Sequence, residues 1–154
     1  MKLSNNFSLK EMTKSQTALR RGIDNEPDEE VIQNLKSLCE NVLQPVREHF
    51  GKPVNINSGY RSPELNSAIG GSKTSDHCKG MAADIEISGI DNGVIAEWIE
   101  ENCDFRQLIL EFYTPGVGDS GWVHVSYNED DNVKKVMTAM KEDGRTVYKL
   151  GLIL

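Results

Sequence analysis

The stretch Ser75-Asp76-His77-Cys78-Lys79-Gly80-Met81-Ala82-Ala83-Asp84 constrains this chain more than any other. It sets an imidazole and a carboxylate seven residues apart, with small residues between them. His124, in Gly121-Trp122-Val123-His124-Val125, supplies a further donor, and the chain holds only 3 histidines. Two neutral imidazoles and one carboxylate form a common catalytic zinc set, with the fourth position left for water. Donors from separate segments meet at one ion only when rigid elements carry them there. The fold must therefore bring the runs around His77, Asp84 and His124 side by side. Gly80 and Ala82 suit that demand, since glycine permits a tight backbone path and small side chains leave room.

Composition narrows the remaining choices. A chain of 154 residues suits one domain, 1–154, around one core. A formal net charge of -7 argues against a nucleic-acid partner, which needs a basic face. No apolar run approaches the roughly 20 residues that cross a bilayer as a helix. Met1-Lys2-Leu3-Ser4-Asn5-Asn6 lacks the apolar core of a signal peptide. The expectation is a monomer made in the cytoplasm, which something else must release or carry if it acts outside. Three cysteines without CxxC spacing argue against a disulfide framework. Cys39 falls on an apolar helix face and reads as a buried thiol. Cys78 adjoins His77, and adjacent residues chelate one ion poorly.

Local signals give the element order. Phe7 to Arg21 mixes helix formers with a polar face and reads as one short helix. Asn25-Glu26-Pro27-Asp28 marks a helix start. Val31, Leu35, Leu38, Val42, Val46 and Phe50 then recur at helical spacing to Gly51, with Pro45 expected to bend the helix. Val54 to Ser58 alternates as a strand, and Glu64 to Ile69 is a short helical stretch closed by Gly70-Gly71. Ala82 to Ile87 reads as the strand that carries Asp84. Asp91 caps a helix running to Glu101, with Val94, Ile95, Trp98 and Ile99 expected inside. Gln107 to Tyr113 and Gly121 to Tyr127 are β-rich runs joined by a turn-rich loop. Val133 to Met140 and Thr146 to Leu150 flank the hairpin signal Glu142-Asp143-Gly144. The fold class is α+β, with N-terminal helices packed on a mainly antiparallel sheet that carries the zinc site.

Ser75-x-His77-x-x-Gly80-x-Ala82-x-Asp84, taken with Trp122-Val123-His124, resembles the zinc peptidases of the peptidase M15 family. That family includes D-Ala-D-Ala carboxypeptidases and phage endolysin endopeptidases. Ser58-Gly59-Tyr60-Arg61-Ser62, Asn25-x-Pro27 and Leu43-x-Pro45-x-Arg47 extend the likeness over roughly Phe7 to Tyr127. The resemblance implies a Hedgehog-type zinc fold. It implies a Zn2+ ion held by His77, Asp84 and His124, and peptidoglycan stem peptides as substrate. It also implies that Arg61 binds substrate or the developing oxyanion, against a plain structural salt bridge. Ser75 orients a ligand, binds substrate or caps its loop.

The general base departs from part of the family pattern. Several members carry an acid three residues before the last histidine, where this chain has Gly121. Others carry a histidine two residues before it, where this chain has Trp122. Glu111 is the candidate base, expected opposite His124 across a hairpin centred near Val117. Its competing reading is a partner that orients His124. Asp119 is the alternative base. The expected activity is peptide hydrolysis by metal-activated water. The rival is a zinc-stabilised, non-catalytic cell-wall-binding or phage structural module of the same fold, favoured by the missing acid at Gly121.

Overall fold

Side-chain alternation along three central strands organises the molecule. The computed structural model describes residues 1–154. Strands β4 (Ala82–Glu86), β5 (Gln107–Glu111) and β6 (Trp122–Ser126) lie adjacent in the order β4-β6-β5. Ala83 and Ile85, Val123 and Val125, Leu108 and Leu110 point to one face and are fully buried. Asp84 and Glu86, Trp122 and His124, Ile109 and Glu111 share the other face, because successive strand residues alternate. A slip of one residue would drive carboxylates into the core, so burial fixes the register that builds the site.

The full sheet runs β3-β4-β6-β5-β7-β8, adding β3 (Asn55–Ser58), β7 (Lys135–Glu142) and β8 (Arg145–Leu150). All neighbours are antiparallel except β5 and β7, which are parallel. The fold is α+β, as the sequence leads one to expect. Helices cover the apolar face and share a core cluster of 25 buried residues with it. They are α3 (Glu29–Leu38), α4 (Gln44–Phe50) and α6 (Asn92–Asn102), with the shorter α1 (Leu9–Thr13), whereas α2 (Gln16–Arg21) and α5 (Pro63–Ala68) contribute no residue to that cluster. No helix is long and apolar enough to cross a membrane.

Several local expectations are corrected. The run from Phe7 to Arg21 is two helices, not one. Lys14 is extended at their junction and the Ser15 hydroxyl restarts the helix by accepting from the Ala18 amide. Two short strands, β1 (Lys2–Ser4) and β2 (Phe7–Ser8), pair ahead of them. The helix expected to bend at Pro45 is continuous in chain but irregular just before it. A widened π turn at Cys39–Leu43 precedes it, with the Gln44 amide reaching back to the Cys39 carbonyl. That turn accommodates a residue with no N–H of its own. Val94 is 49% exposed on the outer side of α6, whereas Ile95 and Ile99 are fully buried. The hairpin is as expected: Asp143 and Gly144 both take positive φ, at 52° and 77°, between β7 and β8.

Candidate metal centre

His77 sits in a single 3-10 turn, Asp76–Lys79, just before β4. Three contacts hold that turn. The Ser75 hydroxyl accepts from the His77 amide at 3.2 Å, so Ser75 acts here as a cap. The buried Asp76 carboxylate accepts from Arg106 Nη1 at 2.7 Å, and Arg106 Nε donates to Asp131 at 3.1 Å. Gly80 then reverses the chain into β4 with φ of +73°, where a Cβ would meet Val31 at 2.7 Å. Only glycine fits both the conformation and the space.

The ring of His77 is set by its environment. Its Nδ1 lies 2.7 Å from the Gly59 carbonyl, which can only accept, so Nδ1 carries the proton. Nε2 therefore presents a lone pair. It is buried without a hydrogen-bond partner and lies 3.4 Å from Asp84 Oδ1. The same carboxylate oxygen is 3.0 Å from His124 Nδ1. Asp84 and His124 face each other directly across β4 and β6. Donor atoms of His77, Asp84 and His124 all lie within 4.8 Å of one another. A buried imidazole lone pair with no donor to receive, beside a second imidazole and a carboxylate, fits a zinc-type cation by donor chemistry. Cys78 lies outside this group.

The electrostatics follow from burial and proximity. Burial alone would raise Asp84, but the hydrogen bond to His124 and the two neighbouring imidazoles outweigh it and hold the carboxyl well below the usual carboxylate range. Burial dominates at His77 and lowers it despite Asp84. At His124 burial also lowers, but Asp84, reinforced by Glu111, wins and raises it. Of the two imidazoles, the surroundings favour the protonated form at His124 and disfavour it at His77, so a cation binding there competes with a proton at His124.

Glu111 faces Trp122 rather than His124, which lies opposite Ile109. The expected pairing was two residues out: Phe112 takes a positive φ of 55°, so β5 ends at Glu111 and β6 begins at Trp122. Glu111 still shares the face of His124, on the diagonal. Its Oε2 accepts from the Trp122 indole at 2.7 Å. Burial raises its carboxyl above the ordinary glutamate range and Asp84 adds to that, against His124, the indole bond and Arg61. Gly121 has φ of +62°, and a Cβ there would collide with the Glu111 carbonyl and the Phe112 backbone. That backbone sterically excludes any side chain at position 121, an acid included. Asp119 lines a separate hollow with Glu86 and Asp91.

Arg61 lies beside the centre, its amide donating to the His77 carbonyl at 3.2 Å. Its Nη1 donates to Asn66 at 3.2 Å, while Nε is buried without a partner. Arg61 takes part in no ion pair, so the salt-bridge reading fails. Sequence reasoning missed the Gly59 carbonyl, the Asp76–Arg106 bond and the Trp122–Glu111 bond. Backbone acceptors leave no sequence signal. Asp76 and Trp122 stood inside the motifs, but their partners are 30 and 11 residues away.

A family model described as Peptidase M15 matches residues 5–126. The zinc D-Ala-D-Ala carboxypeptidase of Streptomyces albus G is 46% identical over 44 residues, 28% of this chain and 17% of that protein. This chain thus spans less than a fifth of that relative's length. A crystal structure of a mutant vancomycin resistance D,D-pentapeptidase, VanY, in complex with Zn(II) aligns over 67% of this chain and 74% of that one. Identity there is 21% and the TM-score is 0.37. With residues 5–126 matched, the chain belongs to the peptidase M15 family.

Proposed function

We propose that the chain is a zinc metallopeptidase that hydrolyses amide bonds in peptidoglycan stem peptides. The observation that carries this reading is the meeting of a buried, unpartnered His77 Nε2 with Asp84 and His124, one rung from a raised glutamate. The family and the named relative point the same way. His77, Asp84 and His124 would hold the ion. When bound, zinc supplies Lewis-acid chemistry, activating water and polarising a carbonyl.

The remaining work falls to the protein. Glu111 takes the proton of the attacking water at the carboxylate oxygen that Trp122 leaves free, and returns it to the departing amine. The indole bond fixes the carboxylate, and partial burial keeps it basic enough to accept that proton. Arg61 presents an uncompensated guanidinium to charge on the substrate, as a carboxylate or as the developing oxyanion. The Asp76–Arg106 bond holds the His77 turn against the sheet.

The test incubates zinc-loaded protein with peptidoglycan fragments and identifies the products by mass. Loss of a C-terminal residue gives a carboxypeptidase, and an internal cut gives an endopeptidase. Absence of any cut with zinc bound would overturn the reading in favour of a zinc-stabilised wall-binding module.

A further inference from the structure

A second hollow of about 320 Å³ opens beside the metal centre, between α2, β3 and α5. Its charged lining residues are Lys14 and Arg61, with no acid among them. Gln16, Thr17 and Ser58 add neutral polar groups, and Leu65 contributes to an apolar wall. Such a lining is unexpected in a chain of net charge -7. The surrounding surface has the same sign. Residues 1–21 carry five bases and one acid. Lys10, Lys14, Arg20 and Arg21 are exposed there and form no ion pair.

The hollow adjoins the metal centre through two of its lining residues. Ser58 is the register partner of Asp84 across β3 and β4. Arg61 is bonded through its amide to His77. Lys14 and Arg61 are also tied to each other's neighbours. Asn25 Nδ2 donates to the Thr13 carbonyl at 2.8 Å and to the Tyr60 carbonyl at 3.1 Å. Its Oδ1 accepts from the Ser62 amide at 2.7 Å. One side chain thus clamps the segment carrying Lys14 onto the segment carrying Arg61. Arg61 is half-buried without an acidic partner, which is costly unless an anion completes it, and the exposed Lys14 holds a second free positive charge at the rim of the same hollow.

We propose that this hollow is a carboxylate subsite of the peptide-binding cleft, with Lys14 as its specificity-determining residue. Lys14 and Arg61 flank the carboxylate of a bound peptide, and its aliphatic stem lies against Tyr60 and Leu65. The carboxylate is either the free C-terminus of the peptide or the side chain of an acidic residue in it. The inference rests on the peptidase reading for its substrate, but not for its readout.

The test measures binding by calorimetry, with zinc-loaded protein and two probe pairs. One pair is N-acetylated Lys-D-Ala-D-Ala with its C-terminus free or amidated. The other is N-acetylated L-Ala-D-Glu-L-Lys amide with its side-chain carboxylate free or amidated. The free form of one pair should bind about tenfold tighter than its amide, the scale of a charge-assisted hydrogen bond. Lys14→Gln should remove most of that preference with zinc content unchanged, and Lys14→Arg should restore it. The pair that responds identifies the source of the carboxylate. If neither pair distinguishes free from amidated, or Lys14→Gln leaves the preference intact, the subsite is overturned. Lys14-dependent binding without hydrolysis would uphold the subsite and overturn the peptidase reading. Hydrolysis without any Lys14 dependence would do the reverse.

Discussion

The β4–β6 strip and the β7–β8 hairpin belong to one sheet but obey different rules. Along β4 and β6 the inward residues are fully buried, and the outward face carries Asp84, His124 and Trp122, each bonded to another site residue. Along β8 most side chains are open to solvent, with Tyr148 at 56% and Leu150 at 83% exposure. The family match ends at residue 126, before the hairpin begins. Its tie to the body is the parallel ladder of β7 with β5, while the buried Thr138 hydroxyl holds the chain end, donating to the Gly151 carbonyl and accepting from the Ile153 amide. The contrast shows where the chemistry sets the side chains and where only the backbone ladder does.

The largest effect should come from the strip's buried imidazole. His77→Ala removes the only ligand whose lone pair is preset by a backbone carbonyl. Metal analysis should show zinc lost, and hydrolysis should fall to background. A His77→Ala protein that retains zinc at parental affinity would break the ligand assignment. Next is Glu111→Gln, which keeps the indole bond but cannot take a proton. Loss of a general base costs about 10²–10⁴-fold, so kcat should fall by that order with zinc still bound. Parental kcat in that variant would remove Glu111 as the base.

The third prediction sets the same substitution in the two regions. Leu110 is fully buried, and Leu110→Ala should destabilise by about 2–5 kcal/mol. Leu150→Ala should stay within about 0.5 kcal/mol, as for exposed positions generally. Equal losses in urea unfolding would show that the hairpin is buried in solution against something else. The smallest effect is electrostatic. Glu111 is raised by burial, so in the folded protein it holds its proton to higher pH than in the unfolded chain. Stability of the metal-free protein is therefore lost as pH rises from the unfolded to the folded pKa, and the deficit persists above it. Glu111→Gln should melt above the parent at pH 7 and together with it near pH 4, where a free glutamate is mostly protonated. A lower Tm for the variant at pH 7 would refute the cost assigned to that carboxylate.

The sequence was most legible where chemistry forces residue type. His77, Asp84 and His124 could be named because few residue types hold a zinc ion, and they do converge. Alternation gave the strands, since one face had to be buried. Register was less legible. Glu111 was placed opposite His124, but the positive φ of Phe112 ends β5 early and shifts the hairpin. Val94 was misplaced because helical spacing alone does not say how wide the covered stripe on α6 is. The split between α1 and α2 was signalled by Ser15, a good N-cap, but the polar run hid it. The parallel pairing of β5 with β7 had no local signal at all.

The bond between Trp122 and Glu111 makes the candidate base observable by light. The chain has 2 tryptophans, and Trp98 stacks on His49 at 4.5 Å, on the helical side of the molecule. With Trp98→Phe, the remaining emission comes from an indole whose N–H touches the carboxylate in question. Any event that neutralises or displaces that carboxylate changes the field across the ring and moves its emission. The protein thus carries an intrinsic, label-free optical probe at the place where a proton would be handed over.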